Sequence, residues 1–159
     1  MIGTIDLRLN EAHRQAEIGY VLNKRYWGQG IMPEAAQAIL AVGFDQLQLV
    51  RIFSEHDTRN PKSGRVMTKI GMQQEGVALK SQIIKGEIVD MVHYAITDTQ
   101  YKMLQQAKKV TGNPVTFWLI NIFCVVVDFP RSGHINVIVV QVAMQVVDFM
   151  LENDSRIIT

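Results

Sequence analysis

Arg25-Tyr26-Trp27-Gly28-Gln29-Gly30 is the stretch on which the reading of this chain turns. It has the form R-x-x-G-x-G. Gly28 and Gly30 carry no Cβ and can adopt φ > 0, so bare backbone can approach a ligand closely. Upstream, Glu17-Ile18-Gly19-Tyr20-Val21-Leu22 has the β-branched and aromatic content of a strand. Downstream, Ala35, Ala38, Ile39, Val42 and Leu47 recur at helical spacing. Pro33 falls in the first turn, where its missing N–H costs nothing, and Glu34 suits the positive end of the dipole. Strand, glycine loop and helix together make a cradle for phosphate. The loop is not a dinucleotide fingerprint, because Pro33 stands where a third glycine would be. It is not a Walker loop either, because no Gly-Lys-Ser/Thr follows.

Further along the chain, Ile5, Leu7 and Leu9 alternate with Thr4, Asp6 and Arg8, which predicts a half-buried strand. After a polar turn at 10–15, residues 16–23 return as its antiparallel partner. The helix after the loop is expected to run to about Leu47, loosened in its last turn by Gly43. A strand is expected over Leu49 to Glu55 and a short helix over Pro61 to Ile70, closed by Gly71 as its C-terminal cap. Val77 to Ile84 and Ile88 to Ile96 read as a hairpin around Lys85-Gly86-Glu87. Thr97 to Lys109 is polar and helix-compatible.

A second block, Asn60-Pro-Lys-Ser63-Gly-Arg-Val-Met-Thr-Lys69-Ile-Gly71-Met72, follows the Leu49–Glu55 stretch. The run from Glu17 through Glu34 and this block, in this order and separation, resemble the acetyl-CoA-binding core of the GNAT acetyltransferases. The likeness extends from about Ile2 to about Thr97, and is greatest to the branch that acetylates the N-terminal amine of ribosomal proteins. It implies an α+β fold, a mixed and mostly antiparallel sheet flanked by helices. The family's N-terminal strand and helices have no counterpart here, which reads as an N-terminally truncated member. Residues 1–109 would form this partial core and 110–159 an apolar extension.

The resemblance implies acetyl-CoA as co-substrate, held by Leu22, Arg25, Gly28, Gln29, Gly30, Ile31, Asn60 and Ser63. It implies a backbone N–H at about Leu22, beside a bulge, that stabilises the carbonyl oxygen. Glu17 is the candidate base, or else a rim glutamate. Ser63 lies near the sulfur, or else bonds backbone at the helix start. Asn60 contacts the pantetheine arm and can also cap its helix. Trp27 reads as a packing residue beside the loop. Arg59, Lys62, Arg65 and Lys69 read as a solvated helix face, with the alternative that one or two reach the CoA phosphates. Arg25 is the expected pyrophosphate partner.

The function implied is acetyl transfer from acetyl-CoA to a primary amine, a protein N-terminus or a small amine, by direct attack. The alternative is a non-catalytic, truncated acetyl-CoA-binding homologue or a partner-dependent half-domain. Lone Cys124 lies outside the matched core, which argues against a cysteine acyl carrier.

Composition bounds these readings. With 159 residues the chain is expected to form one domain. A net charge of +1 offers no field for nucleic acid or an anionic membrane. A single cysteine excludes an internal disulfide and suits a reducing, cytoplasmic compartment. The N-terminus has no signal pattern. His13, His56, His93 and His134 are scattered, so no metal is expected. In the extension, the runs 115–127 and 135–147 are each 13 residues long, short of the ~20 of a membrane helix. Their Val/Ile content favours strands. Three readings stand open for them: an added strand pair on a bare sheet edge, an interface with a second copy or a membrane surface, or an abnormal tail. Val-Val-Asp-Phe recurs at 126–129 and 146–149, as chance or as a duplicated hairpin.

Overall fold

The computed structural model describes residues 2–110, 127–128 and 134–137. Strands β1 (Gly3–Asn10) and β2 (Gln15–Leu22) form the expected hairpin through a tight turn at Glu11–His13. The glycine loop leads into helix α1 (Ile31–Ala41). Then come strand β3 (Arg51–Asp57), helix α2 (Pro61–Lys69), the hairpin β4 (Gln73–Ile84) and β5 (Glu87–Thr97), and helix α3 (Asp98–Val110). Short strands β6 (Val127–Asp128) and β7 (His134–Val137) complete the described elements. The sheet order is β4-β5-β3-β2-β1-β7-β6. Every pairing is antiparallel except β2 with β3. This is the mixed, mostly antiparallel α+β sheet that the sequence leads one to expect.

One layer of helices covers one face of the sheet. On α1, Met32, Ala35, Ala36, Ile39 and Leu40 are buried at spacings of three and four, the stripe of a core-facing helix. They join Ile5, Leu7, Ala16, Ile18, Ile52 and Ile96 from the strands, and Met67 from α2. Helix α3 is tied in by Tyr101, whose ring stacks on Phe44 at 4.9 Å and whose hydroxyl meets Asp45 Oδ2 at 3.2 Å.

Four details differ from the sequence reading. The α-helix ends at Ala41 and widens into a π turn over Val42–Gln46, where Gly43 is buried. A Cβ on Gly43 would lie 2.5 Å from Ile52 Cδ1, so the glycine serves close helix–strand packing. β3 starts two residues late. Leu49 N–H donates to Gly43 C=O and Val50 N–H to Arg14 C=O, which makes both part of the connector. β4 starts four residues early, because polar Gln73 and Gln74 pair with Ala95 and Tyr94 at an exposed edge. Finally, no bulge interrupts β2, whose ladder with β1 runs unbroken from Gly3↔Leu22 to Asn10↔Gln15.

Two glycines behave as expected. Lys85 and Gly86 both take positive φ, 53° and 83°, the two-residue turn that matches strand twist. Gly71 closes α2 with φ +94°, and a Cβ there would also press on Leu104 Cδ1 at 2.3 Å. Gly71→Ala is expected to cost about 1–2 kcal/mol, read as a lower urea midpoint at unchanged slope.

In the extension, β7 lies on the outer edge of β1 with Ile5 opposite Val137, and β6 pairs with β7. The rest of the runs 115–127 and 135–147 lies outside the described residues, as do Cys124, the Val-Val-Asp-Phe copies apart from Val127–Asp128, and any interface with a second copy. Among the described residues, no helix is long and apolar enough to cross a membrane.

Candidate active site

β2 and β3 pair over only three rungs, Gln15↔Arg51 to Glu17↔Phe53, and β3 then continues against β5 alone. Where the backbone ladder ends, the buried Ser54 hydroxyl donates to Ile18 C=O at 2.8 Å. It satisfies the carbonyl that a paired strand would have taken. Beyond this point β2 presents a free flank. Asn23 N–H donates to Ile2 C=O, so in an antiparallel ladder the next pair, Gly3↔Leu22, is non-hydrogen-bonded. The N–H and C=O of Leu22 therefore point away from β1, and that C=O accepts from Trp27 Nε1 at 2.8 Å. Without any bulge, simple strand divergence leaves the Leu22 N–H on the open side.

A cavity of about 700 Å³ fills the space between this flank, the glycine loop and α2, a size suited to a small-molecule ligand. Its walls include Tyr20, Leu22, Tyr26, Trp27, Gly28, Gly30 and Ile31 on one side, and Asn60, Lys62, Ser63, Arg65 and Lys69 on the other. Gly28 and Gly30 take φ +80° and +81°, and a Cβ built on either meets nothing within 4 Å. The backbone conformation demands glycine while the space above it stays open, which is the shape of a ligand cradle. No side chain caps α1, so its first-turn amides remain available for an anion.

Tyr20 reaches across the cavity and donates to Ser63 C=O at 2.9 Å. Burial pushes its phenol up to about 12, so it stays a neutral donor. Asn60 Nδ2 donates to Ser63 Oγ at 3.1 Å. This corrects two expectations: the Asn60 side chain does not cap α2, and the Ser63 hydroxyl meets Asn60 rather than backbone. Trp27 is not packed away, being 44% exposed with Lys62 Nζ 4.3 Å above its ring. Arg25 and Gln29 lie outside the cavity wall. The Arg25 N–H bonds Asn23 Oδ1, and Gln29 Nε2 donates to Arg25 C=O. Arg59 also lies outside, bound by Asp57 and Glu87.

Glu17 is not in the cavity wall. Side chains alternate along β2, so Ala16, Ile18, Tyr20 and Leu22 pack on the helix side and Glu17 projects from the opposite face, at the last rung before the strands part. Burial raises its carboxyl above the usual carboxylate range. The Arg8 guanidinium, 3.2 Å away, opposes the shift, and the charges of Glu55 and Asp6 add to it. Glu55 itself is held by Gln82 and His93. Sequence reasoning missed Ser54 and Glu55, because only the parting of the strands makes their positions significant.

The arrangement has a cationic, acid-free cavity on one face, backbone donors along a strand flank, and a carboxylate inclined to take a proton on the other face. Among the described residues no group of three His, Cys, Asp or Glu side chains could hold a metal.

Residues 1–73 match the family model of the acetyltransferase (GNAT) domain. The chain is 31% identical over 103 residues to the putative ribosomal N-acetyltransferase YdaF of Bacillus subtilis, covering 64% of this chain and 56% of YdaF. It is 28% identical over 100 residues to the spermidine N(1)-acetyltransferase of Escherichia coli, covering 62% and 54%. The crystal structure of a GNAT-family acetyltransferase from Bacillus anthracis superposes with a TM-score of 0.59 at 37% identity, covering 62% of this chain and 60% of that one. The chain thus spans little more than half the length of these relatives.

Proposed function

We propose that this chain, whose residues 1–73 belong to the GNAT acetyltransferase family, binds acetyl-CoA in the cavity between β2 and α2 and transfers the acetyl group to a primary amine. The observation that carries the reading is the open glycine cradle, at φ +80° and +81°, facing a wall with no carboxylate. Gly28, Gly30 and the first turn of α1 would hold the pyrophosphate. Leu22, Asn60 and Ser63 would hold the arm that leads to the thioester. Acetyl-CoA supplies the acetyl group as an activated thioester.

The protein's own groups then have distinct tasks. Glu17, five residues and roughly 16 Å along β2 from Leu22, would receive through bridging water the proton that the amine nitrogen loses as it bonds the carbonyl carbon. The Leu22 N–H donates to the carbonyl oxygen as it gains charge, a contribution of roughly 3 kcal/mol in comparable acyl transfers. The Ser63 hydroxyl, oriented by Asn60, donates to the sulfur as the C–S bond breaks. No acyl-enzyme is required. Amines are the acceptor class that relatives' names suggest, and both protein N-termini and polyamines belong in the first panel.

The test is thiol release from acetyl-CoA with and without acceptor. An amine-dependent rise in rate is expected with at least one of N-terminal peptides, polyamines or amino sugars. A rate that stays at background across the panel would favour a non-catalytic acetyl-CoA-binding module.

A further inference from the structure

Lys62, Arg65 and Lys69 all line the cavity. Their spacings of three and four place them on one face of α2. None has a carboxylate partner among the described residues, whereas Arg8, Arg51, Arg59 and Lys102 all do. Like charges at this spacing destabilise a helix, and no Asp or Glu in the cavity wall offsets them.

The glycine loop and the start of α1 already provide for one anionic group. Lys62 is drawn to that loop by the Trp27 ring. Arg65 and Lys69 stand roughly 5 and 10 Å further along α2, too far along to serve only the same group. They fit a second anion, separate from the first. We propose that Arg65, supported by Lys69, recognises the ribose 3′-phosphate of coenzyme A and makes the site selective for the 3′-phosphorylated cofactor. The inference rests on the acetyl-CoA reading above. A phosphate monoester offers a planar guanidinium two oxygens at once, and Lys69 adds a point charge beside it. Arg65 is exposed, so its replacement leaves the core intact.

The experiment compares acetyl-CoA with 3′-dephospho-acetyl-CoA by calorimetry on the whole chain. The unsubstituted chain is expected to bind the dephospho form at least tenfold more weakly. Arg65→Gln should weaken acetyl-CoA to nearly the dephospho level while hardly changing the dephospho affinity, and Lys69→Gln should show a smaller version of the same pattern. Circular dichroism of each variant verifies the fold. Equal affinities for the two cofactors in the unsubstituted chain would overturn the proposal and leave the acetyl-CoA reading standing. So would an Arg65→Gln loss shared equally by both cofactors. Failure of both to bind a folded chain would overturn the acetyl-CoA reading, and this inference with it.

Discussion

Glu17→Gln is expected to slow acetyl transfer by about 10²–10⁴-fold while leaving acetyl-CoA affinity nearly unchanged. Glu17 projects from the face opposite the cavity, so its loss removes no cofactor contact. It sits at the last β2–β3 rung, where water in the gap would carry the amine's proton to it in the proposed reaction. Only the carboxylate form can accept a proton. Burial raises its pKa above the ordinary carboxylate range, so the rate should begin to fall on acidification at a higher pH than for an ordinary carboxylate, and this acid limb should vanish in the variant. A rate and pH profile unchanged by Glu17→Gln would remove it from the base role.

The same shift has a consequence for stability with the opposite sense to catalysis. A raised folded pKa means that the folded state binds the proton more tightly than the unfolded chain. The stability this contributes is fully present at low pH and is lost as pH rises through the folded pKa. At neutral pH the charged Glu17 is thus tolerated rather than stabilising. Glu17→Gln should unfold at a temperature equal to or above that of the unsubstituted chain, which separates a catalytic defect from a folding one.

Gly28→Glu is expected to weaken acetyl-CoA binding at least 100-fold. Two physical effects act together. The backbone at φ +80° is strained for any residue with a Cβ, by about 1–2 kcal/mol. The new carboxylate would occupy the open space above the loop, where it repels a pyrophosphate and blocks its approach to the amides. Because a Cβ at Gly28 meets no protein atom within 4 Å, the fold should survive, as judged by circular dichroism. Gly28→Ala carries the strain without the charge and should show a smaller loss. Equal binding by Gly28→Glu and the unsubstituted chain would mean that the loop holds no anion.

The local elements were largely legible because each rests on a local signal. Alternation marks β1, the glycine pair with its helix marks the cradle, and the Lys85-Gly86 turn marks the β4–β5 hairpin. Gly71 was readable as a cap for the same reason, since positive φ is a backbone demand that few other residues meet. What depends on distant partners was not legible. Gly43 reads as a weak point in a helix until Ile52 is seen pressed against it. Asn60 reads as a cap until its amide is found on Ser63. The four cations around α2 look alike in sequence, yet Arg59 is neutralised by Asp57 and Glu87 while Arg65 faces the cavity. Arg25 stands in the motif where a pyrophosphate partner is expected, but its side chain lies outside the cavity wall. The face on which Glu17 projects follows from the alternation of β2, and its importance from where β3 departs. That departure is a tertiary fact.

The measurement that tests the central claim most directly is calorimetric titration of acetyl-CoA into the purified, folded chain. The account predicts saturable one-to-one binding in the micromolar range or tighter, which also raises the unfolding temperature with ligand concentration. A folded chain that shows neither heat of binding nor any rise in unfolding temperature would contradict it.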